Sequence, residues 1–184
     1  IIEKVPNMPS AMGQLASPYL SQERQPYLKT LIQMIFSQKE STGFPYAENE
    51  EQINGIRTGL RFLLGQNLDE KELTDEQIDE QIRAAVTPIA ERLEKGEKLT
   101  IGVPREILSG ERRFGIVPGI MRELINTFGA ENLLFKIEKD GGAKSNFQDA
   151  VFVNSDAQIV ETAQEAWDAD IVLKIKQPLP EELS

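Results

Sequence analysis

Apolar positions fall into three patterns along the chain. Residues 1–67 read as helical but broken. From Tyr27 onward, Leu28, Leu31, Ile32, Ile35 and Phe36 keep helical spacing, with Pro26 at the start and "STGFP" as the break. A shorter helix follows through Ile53, Ile56, Leu60 and Leu63 or Leu64, weakened by Gly55 and Gly59. Residues 68–97 read as one amphipathic helix, because Ile78, Ile82, Val86, Ile89 and Leu93 recur at intervals of four, four, three and four. Thr74 and Gln77 have the spacing of a capping box, Gly96 marks a stop, and Pro88 predicts a kink.

Residues 98–184 change period. "KLTIGVP" and "NLLFKIEK" read as strands, and "VPGIMRELINTFG" between them reads as a helix with Pro118 in its first turn. "DGGAKSN" reads as a tight turn whose glycines supply positive φ. "ETAQEAWD" predicts a short helix, and "ADIVLKIKQP" a third strand ended by Pro178. Strands alternating with helices imply βαβ units joined by right-handed crossovers. The expected fold is α/β, a mostly parallel sheet with flanking helices, preceded by a helical leader. The expected divisions are a leader at 1–67, an acidic helix at 68–97 and an α/β substrate-binding domain at 98–184.

Charge and composition narrow the chemistry. The 184 residues carry a net charge of −10, and hydrophobic residues make up 40%. That balance argues against a nucleic-acid or membrane-surface binder, either of which relies on clustered Lys and Arg. Residues 68–97 alone hold ten acids and four bases, read as a solvated helix face. There is no cysteine and no histidine, so disulfides, thiol chemistry and imidazole catalysis are excluded within these residues, and no metal site is expected. No apolar run reaches the length of a membrane span and no signal peptide is visible, which makes the cytoplasm the default. The chain opens on Ile1 rather than Met, as a fragment or a processed chain does.

Two cationic features stand out. Arg113 follows the first strand of the α/β part and precedes its helix, and in open α/β sheets ligands sit at the carboxyl ends of strands. A guanidinium there is a fork for a carboxylate, or else a surface arginine paired with Glu106 or Glu111. Lys174 and Lys176 share one face of the last strand by period-two spacing. They are either charges guarding a solvent-facing edge or a desolvated group that polarises a carbonyl or clamps an anion. No Gly-x-Gly-x-x-Gly fingerprint occurs, so no dinucleotide fold is supported.

"IGVPREILSGERRFGIVPGIMRELI" and "DAQIVETAQEAWDADIVLKIKQPLPEEL" resemble the amino-terminal, substrate-binding domain of the alanine dehydrogenase and nicotinamide-nucleotide transhydrogenase superfamily. Pro104, Arg105, Glu106, Glu111, Arg113, Pro118, Trp167, Asp170, Lys174, Lys176, Pro178 and Pro180 match in order. The double arginine and "IKQP" also resemble the lysine-ketoglutarate reductase branch. The sequence departs from the family pattern at Val117, where threonine is usual, and at Arg112 and Phe114. The resemblance implies that Arg113 and Lys176 bind the substrate's carboxylate and 2-oxo group, with Lys176 also catalytic.

"VPNMPSAMGQLASPYLSQERQPYLKTLI" resembles an Asn-Met-Pro loop and helix that the family carries late, after its nucleotide-binding domain. That likeness implies permuted halves of one domain, with Asn7 and Met8 toward the cofactor; a helical leader before the first strand, as in residues 68–97, also occurs in the family. The implied parent is an NAD(P)-dependent amino-acid dehydrogenase acting on a 2-oxo acid and its 2-amino acid. NAD or NADP would bind in the complete enzyme and not to this chain alone. The catalytic histidine of the family would lie on a strand just beyond Ser184. A nucleotide-binding domain from a parent chain and a homo-oligomer are the implied partners, with no nucleic acid and no membrane. The alternative is a non-catalytic binding or interaction module that keeps the fold.

Overall fold

Helical periodicity before residue 97 and strand periodicity after it correspond to two compact units, one within Arg24–Glu97 and one within Lys98–Ser184. The computed structural model describes residues 25–37, 50–63, 73–176 and 178–182. In the first unit, α1 covers residues 25–37, α2 is Glu50–Leu63 and α3 is Asp75–Glu94. The capping box forms: Thr74 Oγ1 accepts from the Gln77 amide, and the Gln77 side chain accepts from the Thr74 amide. Helix α3 buries Ile78, Ile82, Val86, Ala90 and Leu93 and runs through Pro88. Its acids Asp75, Glu76, Glu80, Glu91 and Glu94 are exposed. Asp79 is the exception: it is buried and held by two bonds from Arg57 of α2, Nε at 2.8 Å and Nη2 at 2.6 Å.

The second unit is a four-stranded parallel sheet. Its strands are β1 (Leu99–Val103), β2 (Leu133–Glu138), β3 (Ala157–Val160) and β4 (Ile171–Val172). Helix α4 (Pro118–Phe128) connects β1 to β2, α5 (Asp149–Val153) connects β2 to β3, and α6 (Ala163–Trp167) connects β3 to β4. The strand order is β3-β2-β1-β4, every pair parallel. Leu99, Ile101 and Val103 lie in register with Leu133, Phe135 and Ile137, a continuous apolar stripe with all six residues buried. Alternation sends Thr100 and Gly102 to the other face, where Gly102 meets α6. A Cβ at Gly102 would lie 1.7 Å from the Ala166 carbonyl oxygen, so helix and strand touch backbone to backbone. Asp170 ties β4 to β1 by accepting from the Thr100 amide and hydroxyl.

Three expectations need correcting. The strand expected at 170–176 is only Ile171–Val172. Ala157–Val160, unremarked in the sequence, is a strand on the opposite edge of the sheet. The "DGGAKSN" turn takes its positive φ at Asp140 and Asn146 instead of at its glycines. Gly141 and Gly142 are needed for space: a Cβ on either would come within 2.8 Å of backbone carbonyls and against Phe114 or Phe152. Among the described residues, no helix is long and apolar enough to cross a membrane.

Candidate functional site

The chain reverses direction across this sheet at β1. From β1 it steps to β2 and β3, then crosses back to place β4 on β1's other side. Such a switch point opens a crevice at the strands' carboxyl ends, between the loops that leave them. Those loops are 104–117 after β1 and the segment from Leu173 after β4.

Phe114 pins the first loop. Its ring is fully buried and packs edge-on against Phe152 of α5, centroids 5.5 Å apart. Gly115 brings the same loop against the second segment, since a Cβ there would lie 2.7 Å from the Leu173 carbonyl oxygen. The loop ends at Val117, the N-cap of α4, which offers no side-chain acceptor to the helix amides. A threonine there would offer one.

Arg113 and Lys176 meet at one carboxylate. Arg113 is not a surface arginine, its side chain being only 10% exposed. Its Nε donates to Glu111 Oε1 at 2.7 Å and its Nη2 to Glu111 Oε2. Lys176 Nζ lies 3.9 Å from Glu111 Oε2, with its side chain 35% exposed. Glu111 Oε1 also accepts from the amides of Arg112 and Arg113, so the carboxylate folds the loop onto itself. Arg112 points outward and is exposed. Arg113, Lys176 and Glu111 together carry one net positive charge, and the adjoining Lys174, Glu106 and Glu182 carry one net negative charge.

Burial pushes the Glu111 pKa up, but the Arg113 hydrogen bonds and charge, with Lys176, outweigh it and hold the carboxyl below its usual range. The same pair raises the Arg113 pKa against burial. A depressed carboxyl pKa stabilises the fold above the unfolded value, and that contribution is lost as pH falls through the folded value. The gap in thermal midpoint between the wild type and Glu111→Gln is therefore expected to be full at pH 7 and to close as pH drops below about 4. A gap unchanged at pH 3 by thermal circular dichroism would contradict the pairing.

Lys174 does not guard a solvent-facing edge. Its side chain is 6% exposed, and Nζ lies 2.6 Å from Glu182 Oε1 and 3.5 Å from Glu106 Oε2, with the Trp167 ring 5.9 Å away. It forms a buried ion cluster beside Lys176 and faces no solvent edge. The spacing Glu-x-Arg in "GERRF" was the one sequence signal for Glu111; nothing local indicated Glu182, which reaches Lys174 only through the fold. Asn7 and Met8 lie outside the described residues.

A nicotinamide dinucleotide does not fit the described crevice. The loop at the switch point, "PREILSGERRFGIV", lacks the Gly-x-Gly-x-x-Gly spacing of a pyrophosphate cradle.

A parallel α/β domain with a buried guanidinium–carboxylate pair and a half-exposed ammonium at its switch point is the class that fold and site define. Residues 102–184 match the family model described as alanine dehydrogenase/PNT, N-terminal domain. Over that span the chain is similar to the alanine dehydrogenase/PNT N-terminal domain, and the match is to that part of the chain alone. It is 36% identical over 84 residues to the alanine dehydrogenase of Bacillus subtilis (strain 168), covering 46% of this chain and 21% of that protein. The alanine dehydrogenase of Staphylococcus epidermidis (strain RP62A) is 37% identical over 84 residues, covering 46% of this chain and 22% of that protein. A solved L-alanine dehydrogenase structure aligns over 46% of this chain and 22% of its own, with 38% identity and a TM-score of 0.43. The matched part thus spans about a fifth of the length of these relatives.

Proposed function

We propose that residues 98–184 are the substrate-binding portion of an NAD(P)-dependent amino-acid dehydrogenase acting on a 2-oxo acid and its 2-amino acid. The observation that carries this is the convergence of Arg113 and Lys176 on Glu111 at the switch point. A guanidinium has five N–H donors, and Glu111 takes those on Nε and one on Nη2. The others suit a substrate carboxylate, gripped by two parallel bonds. Lys176, the more exposed cation, then meets the 2-oxo group and draws electron density toward its oxygen. Glu111 keeps the two cations from repelling each other before substrate enters. NAD or NADP is held by a separate nucleotide-binding domain, and Asn7 and Met8 contribute to cofactor binding. The complete enzyme is read as a cytoplasmic homo-oligomer.

Calorimetric titration of the full chain tests this. Pyruvate is expected to saturate one site and to bind about tenfold more tightly than propionate, which has the carboxylate but no 2-oxo group. Lys176→Met should erase most of that preference while sparing propionate. Equal affinity for the two acids in the wild type would contradict the role of Lys176.

A further inference from the structure

The segment bearing Lys176 leaves the sheet abruptly, and the sequence of β1 explains why. The β1–β4 ladder reaches Leu173, whose amide donates to the Gly102 carbonyl at 2.9 Å. The return bond of a parallel ladder would run from the residue 104 amide to the Leu173 carbonyl, but residue 104 is proline and has no N–H. The pairing stops there, before the next amide on that side, that of Ile175, which the register sets opposite Arg105. The backbone of Leu173 turns instead toward Gly115.

A side chain takes over where the ladder ends. Glu106 Oε1 accepts from the Ile175 amide at 2.6 Å. Glu106 is 4% exposed, and its own loop is held to the fold by Lys144, whose Nζ donates to the Glu106 carbonyl. The other carboxylate oxygen, Oε2, accepts no hydrogen bond and faces Lys174 at 3.5 Å. One buried carboxylate therefore grips the residue immediately before Lys176.

We propose that Glu106 is a positioning residue: it caps the Ile175 amide in place of the ladder and so fixes Lys176 beside Glu111 and Arg113. The proposal rests on the reading of that cluster as a 2-oxo acid site. Its rival is that Glu106 only neutralises Lys174. The two differ in which substitution they tolerate. Gln keeps an acceptor oxygen for Ile175 and loses the charge. Asp keeps the charge but withdraws it from Ile175 by one methylene.

The experiment measures amide hydrogen exchange at Ile175 and pyruvate affinity on the full chain. Glu106→Asp and Glu106→Ala should speed Ile175 exchange by about 30-fold and weaken pyruvate about tenfold, while Glu106→Gln changes each by less than about threefold. Equal losses in Gln and Ala, or an Asp variant that behaves as wild type, would overturn the positioning role in favour of the charge role. If Glu106→Ala fails to fold, the Asp and Gln pair still decides. A wild type that does not bind pyruvate would sink the substrate reading, and the exchange measurement would still judge the cap.

Discussion

Arg113→Ala is expected to weaken pyruvate binding about 100-fold, roughly 2.7 kcal/mol, because it removes a buried charged partner from a carboxylate. The size follows from burial. The Arg113 side chain is 10% exposed, so a bond it makes to an anion is poorly replaced by water. Arg113→Lys should recover part of the loss, since it restores the charge but not the planar fork. Arg105 is the control on the same loop. Its Nε pairs with Glu138 at 2.6 Å and its side chain is 52% exposed. Arg105→Ala should change pyruvate affinity by less than about threefold. Removing Arg113 also leaves Glu111 buried beside Lys176 alone, so the variant's fold is to be checked by circular dichroism at the titration temperature. A folded Arg113→Ala that binds pyruvate as wild type does would remove the carboxylate role.

Gly102→Ala is expected to destabilise the Lys98–Ser184 unit by roughly 3 kcal/mol, enough to abolish its cooperative unfolding transition near room temperature if the unit is marginal. The added methyl would lie 1.7 Å from the Ala166 carbonyl oxygen and 3.0 Å from the Ala169 Cβ. Both are fixed by backbone, so no side chain can swing aside. Relief requires α6 to lift from β1, and Trp167 and the Asp170 tie to Thr100 would move with it. Gly119 in α4 is the contrast within the same unit. Nothing lies within 4 Å of a Cβ built there, and Gly119→Ala should stabilise by up to about 1 kcal/mol. Urea unfolding of the two variants measures both. Equal midpoints would mean that α6 does not sit on β1 as described.

How legible this was in the sequence depended on whether local pattern or distant pairing set each feature. β1 and β2 alternate apolar residues over five or six positions between turn residues, and both were readable to the residue. Helices α3 and α4 announced themselves by period and by cap or proline. β3 was not readable, because four residues of which Val160 alone is buried give too short an alternation. At 170–176 the pattern misled. Ile171, Leu173 and Ile175 alternate like a strand, yet strand length is set by a partner, and Pro104, just past the end of β1, denies the partner bond. The same distinction governs the site. Arg113 and Lys176 could be placed at the strands' carboxyl ends from order alone. Glu111 beside Arg113 is signalled by the local Glu-x-Arg spacing, but the reach of Glu111 to Lys176 and the burial of Lys174 against Glu182 depend on how the segments fold together.

A 2-oxo acid carboxylate seated on Arg113 is read directly by the Arg113 Nε–H resonance. That proton is bonded to Glu111 Oε1 at 2.7 Å before ligand enters. Titrating pyruvate into the 15N-labelled full chain at pH 6 should move the Arg113 Nε signal along one saturable curve, with the Arg105 signal stationary. A saturable shift elsewhere with Arg113 unmoved, or no shift at any pyruvate concentration, would contradict the account.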